Sequence, residues 1–157
     1  MHRRDILTSA FRLACATPPI SIMAAQHAEA EARAAAQAAA DVSKVVYHLS
    51  DLDKVDFVLG NIHNHYAGMG GSAHVRIALV VHGPALKAFH LSAAAADVSK
   101  RLEELRQLGL APIACINTMR AQNVTLKDLP PGFGVAEKGG VVRLAELQSQ
   151  GYAYLRP

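Results

Sequence analysis

The feature that most constrains the fold is "HVRIALVVHG" at residues 74–83, a near-continuous apolar run closed by Gly83-Pro84. A strand with one face in water alternates apolar and polar residues, whereas this run shows almost no alternation. Strands that are apolar on both faces are typical of parallel sheets with helices covering both sides. The run therefore predicts an α/β fold.

Other short apolar segments alternate with helical patterns along the chain. Strands are predicted at 44–49, 74–83, 111–117, 133–136 and 152–155, and helices at 55–69, 94–108, 118–129 and 141–151. This order predicts a mainly parallel sheet of about five strands. The chain has 157 residues, of which 51% are hydrophobic, so we expect one α/β domain with an aliphatic core over residues 44–157.

Composition argues against several classes of function. The net charge of +3 comes with no basic stripe interleaved with aromatic residues, so nucleic-acid binding has little support. No apolar run reaches the ~18 residues of a membrane span. The glycine-rich "GMGGS" at 68–72 follows a predicted helix and precedes a strand, which is the wrong order for a phosphate-binding loop. We therefore predict no cofactor.

The N-terminus has the pattern of an export signal. The twin arginines at 3–4 followed by "DIL" resemble a bacterial twin-arginine signal, and Ala28-Glu29-Ala30 offers small residues where a signal peptidase cleaves. Residues 1–30 are therefore predicted to be a signal peptide of a periplasmic protein. The alternative is an amphipathic N-terminal helix on a cytoplasmic protein. The alanine-rich residues 31–43 predict a surface helix or a linker.

Cys115 lies where a predicted strand gives way to a helix, and it would be the single thiol of the mature chain. Asn117 or Thr118 is expected to cap that helix, whose N-terminal N–H groups and dipole favour a thiolate. Arg120, one turn on, would add positive charge. The alternative is that Cys115 is a small core residue, since free cysteine is often buried.

Two histidines join Cys115 at strand ends. His48 ends the first predicted strand, His82 the second and Cys115 the third, and the C-terminal ends of parallel strands meet at one edge. Gly83 allows the backbone to approach closely there. The histidines are either hydrogen-bonded structural rings or partners of the thiolate. Together with Cys115 they are also the ligand types of zinc or copper, although no local spacing favours a metal site.

Five stretches of the chain are similar to one known family: "KVVYHLSD" at 44–51, "NIHNHY" at 61–66, "VVHGPAL" at 80–86, "ACINTM" at 114–119 and "LQSQGYAYLRP" at 147–157. They resemble the DsrE/DsrF-like family of small sulfur-relay proteins, in particular its stand-alone exported branch. The resemblance implies a three-layer α/β/α sandwich, assembly into trimers or hexamers, and sulfur carried as a persulfide on the cysteine that matches Cys115. The residues predicted to support that cysteine are Asn61, His48, His82, Gly83, Asn117 and Arg120.

Three functions stay open at this point. The first is a sulfur carrier that passes a persulfide sulfur from Cys115 between unknown donor and acceptor proteins. The second is an oligomeric binding module that holds a small ligand or a metal in a pocket formed by His48, His82 and Cys115. The third is an oligomeric scaffold with a structural role only.

Overall fold

The computed structural model describes residues 27, 29, 31–33 and 42–157. The chain divides into two compact units, residues 1–40 and 41–157. In the first unit, the described residues are helical and exposed. Apart from residues 27 and 29, the predicted signal peptide lies outside the described part of the chain.

The second unit is built on one parallel sheet. Its strands are β1 (Ser43–Leu49), β2 (Val75–Val81), β3 (Ala111–Cys115), β4 (Gly134–Ala136) and β5 (Ala153–Leu155). Their order across the sheet is β4-β3-β2-β1-β5, and every neighbouring pair is parallel. The predicted α/β class and the five-stranded parallel sheet are therefore confirmed.

Four α-helices cover the sheet: α1 (Val55–Gly68), α2 (Ala96–Gln107), α3 (Ile116–Ala121) and α4 (Gly140–Ser149). Short 3-10 helices lie at Leu52–Lys54, Gly83–Phe89 and Leu126–Asp128. The first three helices join strands that are neighbours in the sheet. In contrast, α4 connects the two edge strands β4 and β5, and it contacts all five strands as it crosses the sheet. Among the described residues, no helix has both the length and the apolar character needed to span a bilayer.

The two faces of the sheet carry separate apolar clusters. The larger cluster includes the buried side chains of α1 and α2, and the smaller one joins α4 to Val46, Val80 and Ile113. Successive strand residues point to opposite faces. His48 and Cys115, each two residues beyond a member of the smaller cluster, therefore lie on the α4 face. The fold thus brings them to the same face and the same edge of the sheet.

Two predicted boundaries are wrong near this edge. The strand predicted at 74–83 ends at Val81, because a 3-10 helix begins at Gly83 with Pro84 in its first turn. The helix predicted from Thr118 begins at Ile116, so Cys115 is the N-cap residue in place of Asn117 or Thr118. Cys115 still pairs with Ala136 of β4, and the chain turns directly after that pairing. Strand pairing therefore overrides the local capping preference of Asn and Thr.

Candidate functional site

The Cys115 thiol is held between two helices. Only 6% of the residue is exposed. Its side chain makes no capping hydrogen bond of standard geometry to its own helix α3. Instead, the backbone N–H of Gly140, the first residue of α4, donates to the Cys115 Sγ at 3.1 Å. The sulfur is thus buried but has a polar partner from the helix that crosses the sheet.

The surroundings of Cys115 favour its thiolate. Burial by itself raises the pKa of the thiol, because it disfavours the charged form. Hydrogen bonds to the sulfur lower the pKa. They come from the backbone of Thr118, the backbone of Gly140, the Thr118 hydroxyl and the backbone of Asn117. These donors outweigh burial, and the pKa of Cys115 is held below its ordinary value. The residue therefore has the electrostatics of a nucleophile although it has the burial of a core residue.

Thr118 also links the end of β2 to α3. Its hydroxyl oxygen accepts the Gly83 N–H at 2.9 Å, and the Gln122 side-chain amide donates to the Gly83 carbonyl at 2.8 Å. Gly83 adopts a left-handed conformation with a φ of 59°, which glycine reaches without strain. The close backbone approach predicted at Gly83 is thus an approach to α3. These two hydrogen bonds hold the backbone directly after His82 in place.

His48 and His82 bond to each other. Their Nε2 atoms share a hydrogen bond, and the rings stack with centroids 4.6 Å apart and planes 22° apart. The His48 Nδ1 in turn lies 2.6 Å from the Tyr154 hydroxyl on β5. Two Nε2 atoms can share only one hydrogen, so at least one of the two rings is neutral in this arrangement.

Burial and nearby charge keep this pair neutral. The pKa of His48 is lowered to about 4, chiefly by burial and also by His82 and Arg156, while Asp51 has an opposing effect. Burial and Arg156 also lower the pKa of His82, again opposed by Asp51. Arg156 is itself 3.4 Å from the Asp51 carboxylate.

The histidine pair predicts an acid-sensitive fold. The pKa of His48 is lower in the folded protein than in the unfolded chain, so the unfolded chain takes up protons first as the pH falls. We expect the free energy of unfolding to fall between pH 6.5 and about 4. Urea titrations across this window should show a shallower loss for His48→Gln than for the wild type. His63→Gln, at an exposed position on α1, is the matched control. Equal slopes for His48→Gln and the wild type would contradict the assignment.

A cavity of about 210 Å³ opens beside the thiol. It is lined by His82, Cys115, Asn117, Lys138, Gly139, Gly140, Val141 and Val142. A Cβ on Gly140 would lie 3.2 Å from the Cys115 Cβ, 3.6 Å from its Sγ and 3.5 Å from the His82 Cβ. Glycine at this position therefore leaves the space next to the sulfur open.

The structure unites most of the predicted site residues. His48, His82 and Cys115 lie at the same edge, and Gly83 and Asn117 adjoin them. Arg120 is exposed in the last turn of α3 and is not among the groups that shift the pKa of Cys115. Asn61 lies on α1, the helix that packs on the opposite face of the sheet. Within residues 27, 29, 31–33 and 42–157, no three His, Cys, Asp or Glu side chains are placed to hold a metal ion.

Sequence reasoning missed six residues of the site. Five of them line the cavity, namely Lys138, Gly139, Gly140, Val141 and Val142, and Tyr154 completes the hydrogen bonds of the histidines. The "KGGVV" stretch at 138–142 carried a signal, because two adjacent glycines before an apolar helix allow that helix to approach a neighbour closely. Tyr154 carried no such signal.

Comparisons with known proteins agree with this fold. The family model described as the DsrE/DsrF-like family matches residues 20–157. A protein of unknown function from Methanobacterium thermoautotrophicum is 29% identical with a TM-score of 0.64, over 73% of this chain and 99% of that chain. A conserved protein of unknown function from Bacteroides thetaiotaomicron is 21% identical with a TM-score of 0.56, over 76% and 97%. The ychN protein from E. coli is 13% identical with a TM-score of 0.57, over 74% and 99%. No curated protein matches the chain.

Proposed function

Because the chain belongs to the DsrE/DsrF-like family, we propose that it is a sulfur-trafficking protein that carries sulfur as a persulfide on Cys115 and passes it to a partner. The family is generally linked to sulfur relay. One observation carries the proposal for this chain: the single described cysteine is buried, yet it accepts an N–H at 3.1 Å and borders an open cavity.

The chemistry needs a thiolate at Cys115. The thiolate attacks the terminal sulfur of a donor such as a thiosulfonate anion, R–SO₂–S⁻, and a new S–S bond forms. The bond between that sulfur and the sulfonyl group breaks, and its electron pair leaves with the sulfinate. The product is an anionic persulfide, which the same N–H donors stabilise. Transfer to an acceptor thiolate reverses the exchange and restores Cys115, so no external oxidant or reductant is consumed.

Intact mass spectrometry tests the proposal. After incubation with a thiosulfonate, the wild-type protein should gain ~32 Da per sulfur and lose it on addition of a reducing thiol, because exchange at the persulfide is reversible. No gain in mass would overturn the proposal. The binding-module alternative would then be favoured by stoichiometric metal in the protein as purified.

We also propose that the protein is a homo-oligomer, a trimer or a multiple of it. Large apolar side chains are exposed at the cavity rim and at the end of β5, namely Val141, Val142 and Leu155. Exposed apolar patches mark interfaces in soluble proteins. Light scattering at micromolar concentration should give at least three times the mass of one chain, and a monomer would contradict this.

Export remains a proposal that rests on the sequence. The twin arginines at 3–4 and the Ala28-Glu29-Ala30 site support cleavage after Ala30. N-terminal sequencing of protein recovered from the periplasm of the producing bacterium should start at Glu31. An intact Met1 in the cytoplasmic fraction would count against export.

A further inference from the structure

The hydrogen bonds described above form a continuous path from the thiol cavity to the surface. His82 lines the cavity, its Nε2 bonds the Nε2 of His48, and the His48 Nδ1 bonds the Tyr154 hydroxyl. Tyr154 is 40% exposed. The path crosses from β2 through β1 to β5, three strands that lie side by side. We refer to these three residues as the His82–His48–Tyr154 chain.

Each histidine in this chain can exist as either of two neutral tautomers. If His48 donates through Nε2, its Nδ1 accepts from the Tyr154 hydroxyl and His82 carries its hydrogen on Nδ1. If His82 donates through Nε2 instead, the His48 Nδ1 donates to Tyr154 and the His82 Nδ1 has a free lone pair. The second state becomes the first when the His82 Nδ1 takes up a proton, one hydrogen moves along each of the two bonds, and the Tyr154 hydroxyl releases one proton. His82 is then switched between donor and acceptor while both rings stay neutral before and after the transfer.

We propose that the His82–His48–Tyr154 chain is a proton relay that carries the proton released in the Cys115 cavity to the protein surface, with Tyr154 as the positioning residue at its exit. The inference rests on the proposed function, because any Cys115 that is still a thiol must lose its proton before it can attack a sulfur donor. A water molecule or the incoming acceptor thiol in the cavity would pass that proton to His82. Tyr154 then releases a proton to solvent.

The charges around the chain favour passage of a proton over its storage. Arg156 and Asp51 act on both histidines, and Lys138 lines the cavity on the other side. Arg156 donates to the Ser50 hydroxyl at 3.0 Å and pairs with Asp51, which holds its positive charge close to the rings. Burial and this charge lower the pKa of both histidines, so an imidazolium would be short-lived.

Tyr154→Phe tests the relay, since it removes the hydroxyl and keeps the exposed ring. Stopped-flow rates of sulfur uptake from a thiosulfonate should fall roughly tenfold near neutral pH, less than the ~10²–10⁴-fold contribution of a direct acid or base. Long-range ¹H–¹⁵N spectra should show His48 and His82 nitrogens averaged between two tautomers in the wild type and fixed in one tautomer in the variant. The matched control is Tyr152→Phe, whose ring packs against the smaller apolar cluster. It should keep the wild-type rate and spectra.

The outcomes separate the relay from the proposed function. Wild-type rates in Tyr154→Phe overturn the relay and leave sulfur transfer standing. A slower rate with unchanged nitrogen shifts also overturns it, because the loss would then come from packing alone. If the wild type takes up no sulfur, the proposed function fails and the nitrogen shifts alone decide whether the chain exchanges protons. Unchanged shifts in the variant would overturn the relay in that case also.

Discussion

Cys115→Ser is expected to abolish sulfur uptake completely while leaving the fold and the oligomer intact. Serine is only slightly smaller than cysteine, and its hydroxyl can accept the hydrogen bond that the Gly140 N–H donates to the sulfur in the wild type. However, it offers no thiolate at neutral pH, and only a thiolate attacks a sulfane sulfur. After incubation with a thiosulfonate, the variant should therefore keep its original mass in an intact-mass measurement.

The second cysteine of the sequence provides the matched control. Cys15→Ser removes a thiol from the segment predicted to be a signal peptide, so a full-length chain with this change should gain sulfur as the wild type does. If Cys115→Ser still gained sulfur and Cys15→Ser did not, the sulfur carrier would be Cys15 and the assignment to Cys115 would be wrong.

Side chains added at Gly140 are expected to close the cavity beside the sulfur. The Cβ of an alanine would lie 3.2 Å from the Cys115 Cβ and 3.6 Å from its Sγ, in the space through which a sulfur donor must approach. We expect sulfur uptake to slow roughly tenfold in Gly140→Ala and about a hundredfold in Gly140→Val, because small misplacements at a reacting centre cost this much. Rates of sulfur uptake measured by stopped flow, with circular dichroism to confirm folding, check the series.

Gly60→Ala is the control for this series. Gly60 also lies within a helix, α1, and a Cβ there would meet nothing within 4 Å. Because alanine is the better helix former, this variant should be as stable as the wild type or more stable by up to ~1 kcal/mol, with an unchanged rate of sulfur uptake. A wild-type rate in Gly140→Val would mean that the donor does not approach Cys115 through this cavity.

The fold could be predicted because its signals are local. The apolar run at 74–83 indicated a covered parallel strand, and the structure places β2 between β1 and β3 with helices on both faces. The helix predicted at 94–108 has an apolar stripe of Val98, Leu102, Leu105 and Leu108. The first three are buried on one face of α2, and Leu108 is partly buried at its C-cap. In both cases, a sequence pattern that repeats every few residues determines which side chains are buried.

The composition of the candidate site could be predicted only in part. His48, His82 and Cys115 were predicted to lie at one edge, because the C-terminal ends of parallel strands meet there. It did not predict that the histidines bond to each other, since side-chain torsions are set by packing. Tyr154 is 106 residues from His48 in sequence and reaches it because α4 returns the chain across the sheet to β5. A contact of that kind depends on the whole topology.

The positions of Arg120 and Asn61 could not be predicted from the sequence. Arg120 is five residues from Cys115, but α3 carries its side chain to an exposed position in the last turn. Asn61 belongs to a stretch that resembles the family, yet α1 packs on the face opposite the thiol. The exposure of Arg120 is set by helix geometry and the sheet face of Asn61 by packing, and neither is written in the local sequence.

The central claim is that a buried cysteine is nevertheless a reactive thiolate in the native protein. Alkylation of Cys115 by iodoacetamide, followed by mass spectrometry across a range of pH, tests this most directly. We predict modification of the folded protein at neutral pH, with a pH dependence that places the pKa of Cys115 below the ~8.5 of free cysteine. Modification only after denaturation would show that Cys115 is an inert core residue, and the sulfur-carrier account would be contradicted.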